Sequence, residues 1–190
     1  MNTTKYAQGI SAIDFDKWLL ATILCSAISG FLALLVGLGS SSGSTFFAVG
    51  VPWLTTSCFT CWAQIAVTKT AIPIQISRWL LYLFFGSSVG WLVSFLLVYL
   101  LAQPMETLIN SAMDSTHLGN VVLVGFFVGG IIGLFPGIFI GLAYWWLIRP
   151  YYNAKRLFVN NVIGWCVGMG LASAGILLLL FIAVSHITIF

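Results

Sequence analysis

Charge is what this sequence has least of. Four acidic and seven basic residues stand among 190, while 61% of the chain is hydrophobic. A soluble domain carries about a quarter of its residues as charges, so a water-facing globule is excluded. Histidine is scarcer still, with two in the chain. A protein-bound metal takes three or four ligands from His, Cys, Asp and Glu, yet His117 has only Glu106 and Asp114 near it and His186 lies far along the chain. Ion-coupled transport and proton relays are marked by ionisable groups at membrane depth, and the long apolar runs hold none at that depth, His186 standing at the end of the last. Cysteine is limited to four positions. Cys58 and Cys61 form a C-x-x-C, but a membrane thiol oxidoreductase also needs shuttle cysteines in an outer loop, and Cys25 and Cys166 both fall inside apolar runs. These four read as small, polarizable packing residues. The sequence therefore predicts no catalytic residue, no metal site, no enzyme and no nucleic-acid partner.

What is present is apolar length. Runs at 18–37, 45–67, 79–102, 119–148 and 157–187 each reach the roughly 20 residues needed to cross a hydrocarbon core. They are too long and too unalternating for barrel strands, and lipid leaves the helix as the other spanning form. The expectation is an all-α integral membrane protein: a cytoplasmic tail at 1–17, then one membrane domain, 18–190, with five transmembrane helices. Asp14 and Asp16 precede the first run, which is longer than a signal-peptide core and is followed by no A-x-A-like site, so it reads as retained. Neither end carries a targeting or lipidation motif.

Five spans place all seven basic residues, Lys5, Lys17, Lys69, Arg78, Arg149, Lys155 and Arg156, on one face. The turn at 39–44, the loop at 103–118 and the C-terminus share the other face, which has no Lys or Arg. Positive-inside bias puts the N-terminus in the cytoplasm and the C-terminus outside. In the outer loop Met105, Leu108, Ile109, Ala112 and Met113 keep helical spacing behind Pro104, which suits a first helical position. A short interfacial helix is predicted at 104–114 with this face down, against the alternative of a disordered acidic loop.

Gly125, Gly129, Gly133, Gly137 and Gly141 stand at steps of four in a stretch uncharged from Leu118 to Arg149. Shorter ridges follow the same step: Gly86 and Gly90 before Ser94, and Gly164 and Gly168 before Ala172. Small residues one turn apart let helix backbones approach closely, and because four residues overshoot a turn by about 40°, each ridge winds around its helix. All nine glycines are predicted to be helix-packing or interface positions. The outer part of the long ladder, around Gly125 and Gly129, is expected to remain for a partner. Polar contacts are expected from Gln64, Asn160 and Asn161 and from hydroxyls such as Thr56, Thr60 and Ser87. These bond across helices, or instead line a narrow neutral pore. Pro52 and Pro136 should bend their helices.

An internal repeat is also legible. Phe46-Phe47 and Phe126-Phe127 stand 80 residues apart, and the same offset pairs Gly50 with Gly130, Ala63 with Ala143 and Lys69 with Arg149. After six residues are lost from the intervening loop, Gly90-Trp91 aligns with Gly164-Trp165. Spans 2–3 and 4–5 are thus predicted to be a parallel repeat of hairpins about an axis near the membrane normal.

The stretch from Gly141 through Ala143, Tyr144 and Trp145 to Arg149, followed by Phe158, Asn161 and Gly164-Trp165, resembles membrane modules with a G-L-A-Q-W-x-x-L-R then W-x-x-x-N-x-x-G-W pattern. Those modules occur in uncharacterised bacterial proteins, many of them cyanobacterial. The resemblance covers roughly 125–175 and, more weakly, 45–95, where Trp62-Ala63-Gln64 and Gly90-Trp91 echo it. The chain departs from the pattern in having Tyr144 where Gln is usual and no Trp near Phe158. The family supplies a source class and no activity.

Together these features predict a non-enzymatic protein that acts by helix packing, as an accessory, scaffold or assembly subunit of a larger membrane complex. The source class implied by the resemblance points to a photosynthetic or bioenergetic complex in a bacterial inner or thylakoid membrane. Its partners would be membrane lipid and either other membrane subunits or further copies of itself. The alternative is a small oligomeric channel or transporter for a neutral solute. No cofactor is identified. The eight tryptophans lie mostly near span ends and read as an interfacial belt. The competing reading is an aromatic surface that holds a lipid tail or a flat pigment, with His186, Gln64 or Asn120 as axial ligand to a chlorin.

Overall fold

The computed structural model describes residues 15–39, 55–60, 62–66, 75–115, 117–149 and 154–187. These are nearly all helical, with no strand among them. The elements are α1 (Phe15–Gly39), α2 (Ile76–Leu100), α3 (Ala102–Met113), α4 (Leu118–Ile148) and α5 (Ala154–Ile187). Residues 55–60 and 62–66 are also helical and carry Gln64. Helices α1, α2, α4 and α5 are long and apolar enough to cross a membrane. The rest of the predicted 45–67 span and residues 1–14 lie outside the described residues.

Three helices begin about a turn before the apolar runs. Asp16, Lys17, Ser77, Arg78, Lys155 and Arg156 are all helical. An apolar run marks only the hydrocarbon part of a helix, whereas backbone hydrogen bonding continues into the polar layer. At the other end α2 passes into α3 at Leu101, whose N–H bonds to the Leu97 carbonyl at 2.9 Å while its own carbonyl accepts from Met105 at 2.9 Å. Pro104 is the third residue of α3, still within the first turn, where a missing N–H breaks no helical bond. Helix α3 rests on α4 and α2. It buries Ala112 with Met105, Ile109 and Met113 half-buried, while Leu108 turns outward at 48% exposure.

Glycine positions set the registers. Helix α4 runs antiparallel to α5: Gly125 meets Ala174, Gly129 meets Met169 and Ser173, Gly133 meets Trp165, Gly137 meets Val162 and Gly141 meets Phe158. The whole ladder is covered by the chain's own α5, including the Gly125–Gly129 portion expected to stay open for a partner. Helix α2 packs antiparallel on another side of α4, Gly86 against Phe139 and Ile140, Gly90 against Pro136. Helix α1 runs parallel to α5, with Gly164 on Thr22 and Gly168 on Ser26. Lys17, Arg78, Arg149, Lys155 and Arg156 consequently share one end of the bundle, and α3 lies at the other.

Pro136 shows how close the fit is. Proline has no N–H to give the carbonyl four residues back, here that of Ile132. The Ser94 hydroxyl on α2 donates to that carbonyl at 2.9 Å. One turn earlier Gly90 leaves room for the proline: a Cβ there would stand 2.5 Å from Pro136 Cα. Ser94→Ala should therefore cost about 1 kcal/mol of detergent unfolding stability. In a Pro136→Ala background, where the alanine restores the N–H, the same substitution should cost markedly less, and a double-mutant cycle reads the difference.

Candidate functional site

A hydrogen-bonded cluster closes the basic half of the bundle and draws on α1, α2, α4, α5 and the helical 62–66 segment. Asn161 on α5, Thr22 on α1, Tyr144 on α4 and Gln64 are fully buried. The Gln64 amide nitrogen donates to Asn161 Oδ1 at 2.8 Å and to Thr22 Oγ1 at 3.1 Å. Its oxygen accepts the Tyr144 hydroxyl proton, and the Tyr144 oxygen accepts from Trp79 Nε1 on α2 at 3.4 Å. The chain of donors ends on backbone carbonyls: Asn161 Nδ2 gives to Gly137 at 3.0 Å and Thr22 Oγ1 to Trp18 at 2.9 Å. Both polar atoms of the Gln64 amide are engaged, the nitrogen through two bonds.

Aromatic rings enclose this cluster. Trp18 and Trp79 lie 5.5 and 5.3 Å from the Tyr144 ring. Trp91 and Trp165 meet edge to face at 6.3 Å, toward the α3 end. Trp18, Trp79 and Trp165 are core residues, not members of an interfacial belt. Trp62 and Trp146 remain in exposed positions, at 72% and 56%. At the basic end Arg149 sits 4.6 Å from the centre of the Trp146 ring.

Sequence reasoning picked out Gln64 and Asn161, which the fold brings together, and Asn160, which is half-buried beside them. Thr22, Trp18 and Trp79 were missed as members. For Tyr144 there was a signal, since it replaces the Gln usual in the resembling pattern. Of the residues considered as axial ligands, Gln64 is fully engaged and Asn120 is exposed, while the His186 side chain lies outside those described. His117, Glu106 and Asp114 are exposed. Among the described residues no three His, Cys, Asp or Glu side chains cluster. Cys25 and Cys166 are half-buried and Cys58 is exposed; Cys61 lies outside the described residues.

The cluster's groups are amides, a phenol, hydroxyls and an indole, with no carboxylate, imidazole or amine among them. Its contribution to stability should therefore be flat with pH. The loss on Gln64→Leu should be the same at pH 5 and pH 9, as measured by thermal unfolding in detergent.

Five further buried polar atoms have no hydrogen-bond partner among the described residues: Trp18 Nε1, Ser57 Oγ, Thr60 Oγ1, Trp91 Nε1 and Trp165 Nε1. Thr60 stands one turn from Gln64, and Trp165 one turn from Asn161, both toward the α3 end. Unpaired atoms on these two elements thus lie one turn from the paired ones, while Trp18 Nε1 stands beside Tyr144 itself. Trp91 also borders a cavity of about 140 Å³, together with Ser94, Ile132 and Met169.

The chain matches no protein-family model, no curated protein and no solved structure.

Proposed function

We propose that the chain is a non-enzymatic membrane protein that works by helix packing, as an accessory or scaffold subunit of a larger membrane complex. One observation carries this reading: the centre of the bundle is filled by neutral side chains bonded to each other across helices. Such a centre holds no carboxylate, imidazole, thiol or amine to activate a nucleophile or ligate a metal. Gln64, Tyr144, Asn161, Trp18 and Trp165 are all fully buried there, so the place where a pore would run within one copy is packed shut. That favours a scaffold over a conduit.

The same reading takes the 45–67 segment as a fifth span, with the basic end cytoplasmic and the α3 end outside by the positive-inside rule. Two contacts support the parallel repeat. Gln64 and Tyr144, equivalent at the 80-residue offset, bond to each other, and the rings of the equivalent Trp91 and Trp165 pack together. The halves then diverge, because Gly86 and Gly90 seat on α4 whereas Gly164 and Gly168 seat on α1. Since the glycine ridges are spent within the chain, partner subunits meet its lipid-facing side chains, such as Phe84, Phe85 and Phe127. The resembling modules suggest a photosynthetic or bioenergetic complex of a bacterial inner or thylakoid membrane.

Gentle purification of the tagged full chain from its native membrane, followed by mass spectrometry, tests this. A stoichiometric membrane partner is expected. A homogeneous preparation of this chain alone that carries glycerol or urea into liposomes would replace the scaffold reading with the neutral-solute channel.

A further inference from the structure

We infer that the cavity at the α3 end of the bundle is a binding site for a small uncharged molecule with a ring-sized apolar body and one hydrogen-bond-accepting oxygen. The size comes from the volume, about 140 Å³. A dry, aliphatic-lined cavity of about 150 Å³ holds benzene. The apolar body follows from the walls, which are built by Gly30, Leu34, Phe95, Val98, Ile132 and Met169. Three hydroxyl-bearing residues, Thr56, Ser94 and Ser173, also border it, and the Ser94 hydroxyl is already committed, donating to the Gly90 and Ile132 carbonyls at 3.0 and 2.9 Å. Among the described residues no charged side chain borders the cavity, and a buried ion without a partner is strongly disfavoured, so the ligand is neutral.

The accepting oxygen follows from what is left unpaired. Trp91 borders the cavity, and its Nε1 is buried with no partner among the described residues. Its ring packs on Trp165, whose Nε1 is also unpaired and whose side chain is fully buried. Buried polar groups are nearly always satisfied by protein, water or ligand. Indole N–H groups only donate, so what satisfies them must accept. In the arrangement seen here the Trp91 N–H lies behind the cavity wall, and engagement requires its ring to turn toward the ligand. This site is separate from the Gln64 cluster, whose donors are already used.

The test uses the full chain in deuterated-detergent micelles, with cyclohexanone and its shape-matched analogue methylenecyclohexane, which lacks the oxygen, as probes. Saturation transfer from protein to probe by NMR gives the affinities. Wild-type protein should bind both saturably and cyclohexanone about five- to tenfold more tightly, the worth of one hydrogen bond. Trp91→Phe keeps a ring against Trp165 and removes the N–H, so the preference should vanish while the unfolding temperature stays within a few degrees. Val98→Trp fills the cavity and should abolish binding of both. Equal wild-type affinities, absence of saturable binding, or binding that survives Val98→Trp each overturns the proposal. If Trp91→Phe fails to fold, comparison of the two probes on wild-type protein still decides whether the oxygen is recognised.

Discussion

Gly129→Leu is expected to leave no folded bundle in detergent. A Cβ at Gly129 would overlap the Met169 carbonyl oxygen and crowd the Ser173 side chain, and one at Gly133 would overlap the Trp165 carbonyl. Both obstacles are backbone atoms of α5, which cannot turn aside as a flexible side chain can. Overpacking a well-filled interior costs about 1–3 kcal/mol when side chains can adjust, and helix separation is the only relief here. The α4–α5 contact is the largest between described helices, so losing it removes the main support of the fold. Gly133→Leu should behave alike. Gly119→Leu is the control: nothing lies within 4 Å of a Cβ there, and its unfolding temperature should match wild type. Circular dichroism melts and gel filtration distinguish these outcomes, and a stable Gly129→Leu protein would remove the basis for the α4–α5 register.

Gln64→Leu carries the second large effect, a loss of about 3 kcal/mol. Single interhelical hydrogen bonds in membranes contribute about 0.6–2 kcal/mol, and this side chain bonds to Thr22, Asn161 and Tyr144. Its removal also takes the Gln64 bond from the Asn161 oxygen and from the Tyr144 hydroxyl proton in a dry interior, where an unmet polar group costs about 1–3 kcal/mol. Tyr144→Phe should cost less, about 1–2 kcal/mol, because it removes the bonds to Trp79 Nε1 and Gln64 Oε1 and leaves the ring in place. The double variant should fall short of the sum by about 1 kcal/mol, as expected for residues in direct contact. Reversible unfolding in mixed micelles gives these numbers. Strict additivity would mean that the Gln64–Tyr144 bond contributes nothing.

The helical class and the packing glycines were legible because both are periodic. An uninterrupted apolar run and a four-residue glycine step each report on one helix without knowledge of its neighbours. Which neighbour covers which ridge was not legible. Gly125 and Gly129 look alike whether α5 or a foreign helix lies on them, and only the antiparallel register, with Ala174 and Met169 opposite, settles it. The polar cluster was half visible. Gln64 and Asn161 stand out as amides in apolar runs, whereas Thr22 passes as an ordinary helical hydroxyl, and Trp18 and Trp79 sit where a belt tryptophan would. Their inward turn depends on where Tyr144 arrives from a helix more than 60 residues away in sequence. The Ser94–Ile132 bond was hidden for the same reason, since the carbonyl is open because Pro136 lacks an N–H, and both residues lie on α4 while Ser94 lies on α2.

The central claim is that the glycine ladder builds one copy of the chain and is not an interface between copies. An alanine scan of Gly119, Gly125, Gly129, Gly130 and Gly133, melted in detergent at two protein concentrations tenfold apart, tests it most directly. Losses should be large at Gly129 and Gly133 and smaller at Gly125. They should be negligible at Gly119 and Gly130, where a Cβ meets open space or the Cys166 carbonyl at an ordinary 3.6 Å. Every melting temperature should be independent of concentration, because an intrachain contact has no mass-action term. Melting temperatures that fall on dilution, with the dependence abolished by the Gly129 or Gly133 substitution, would place the ladder between chains and contradict the account.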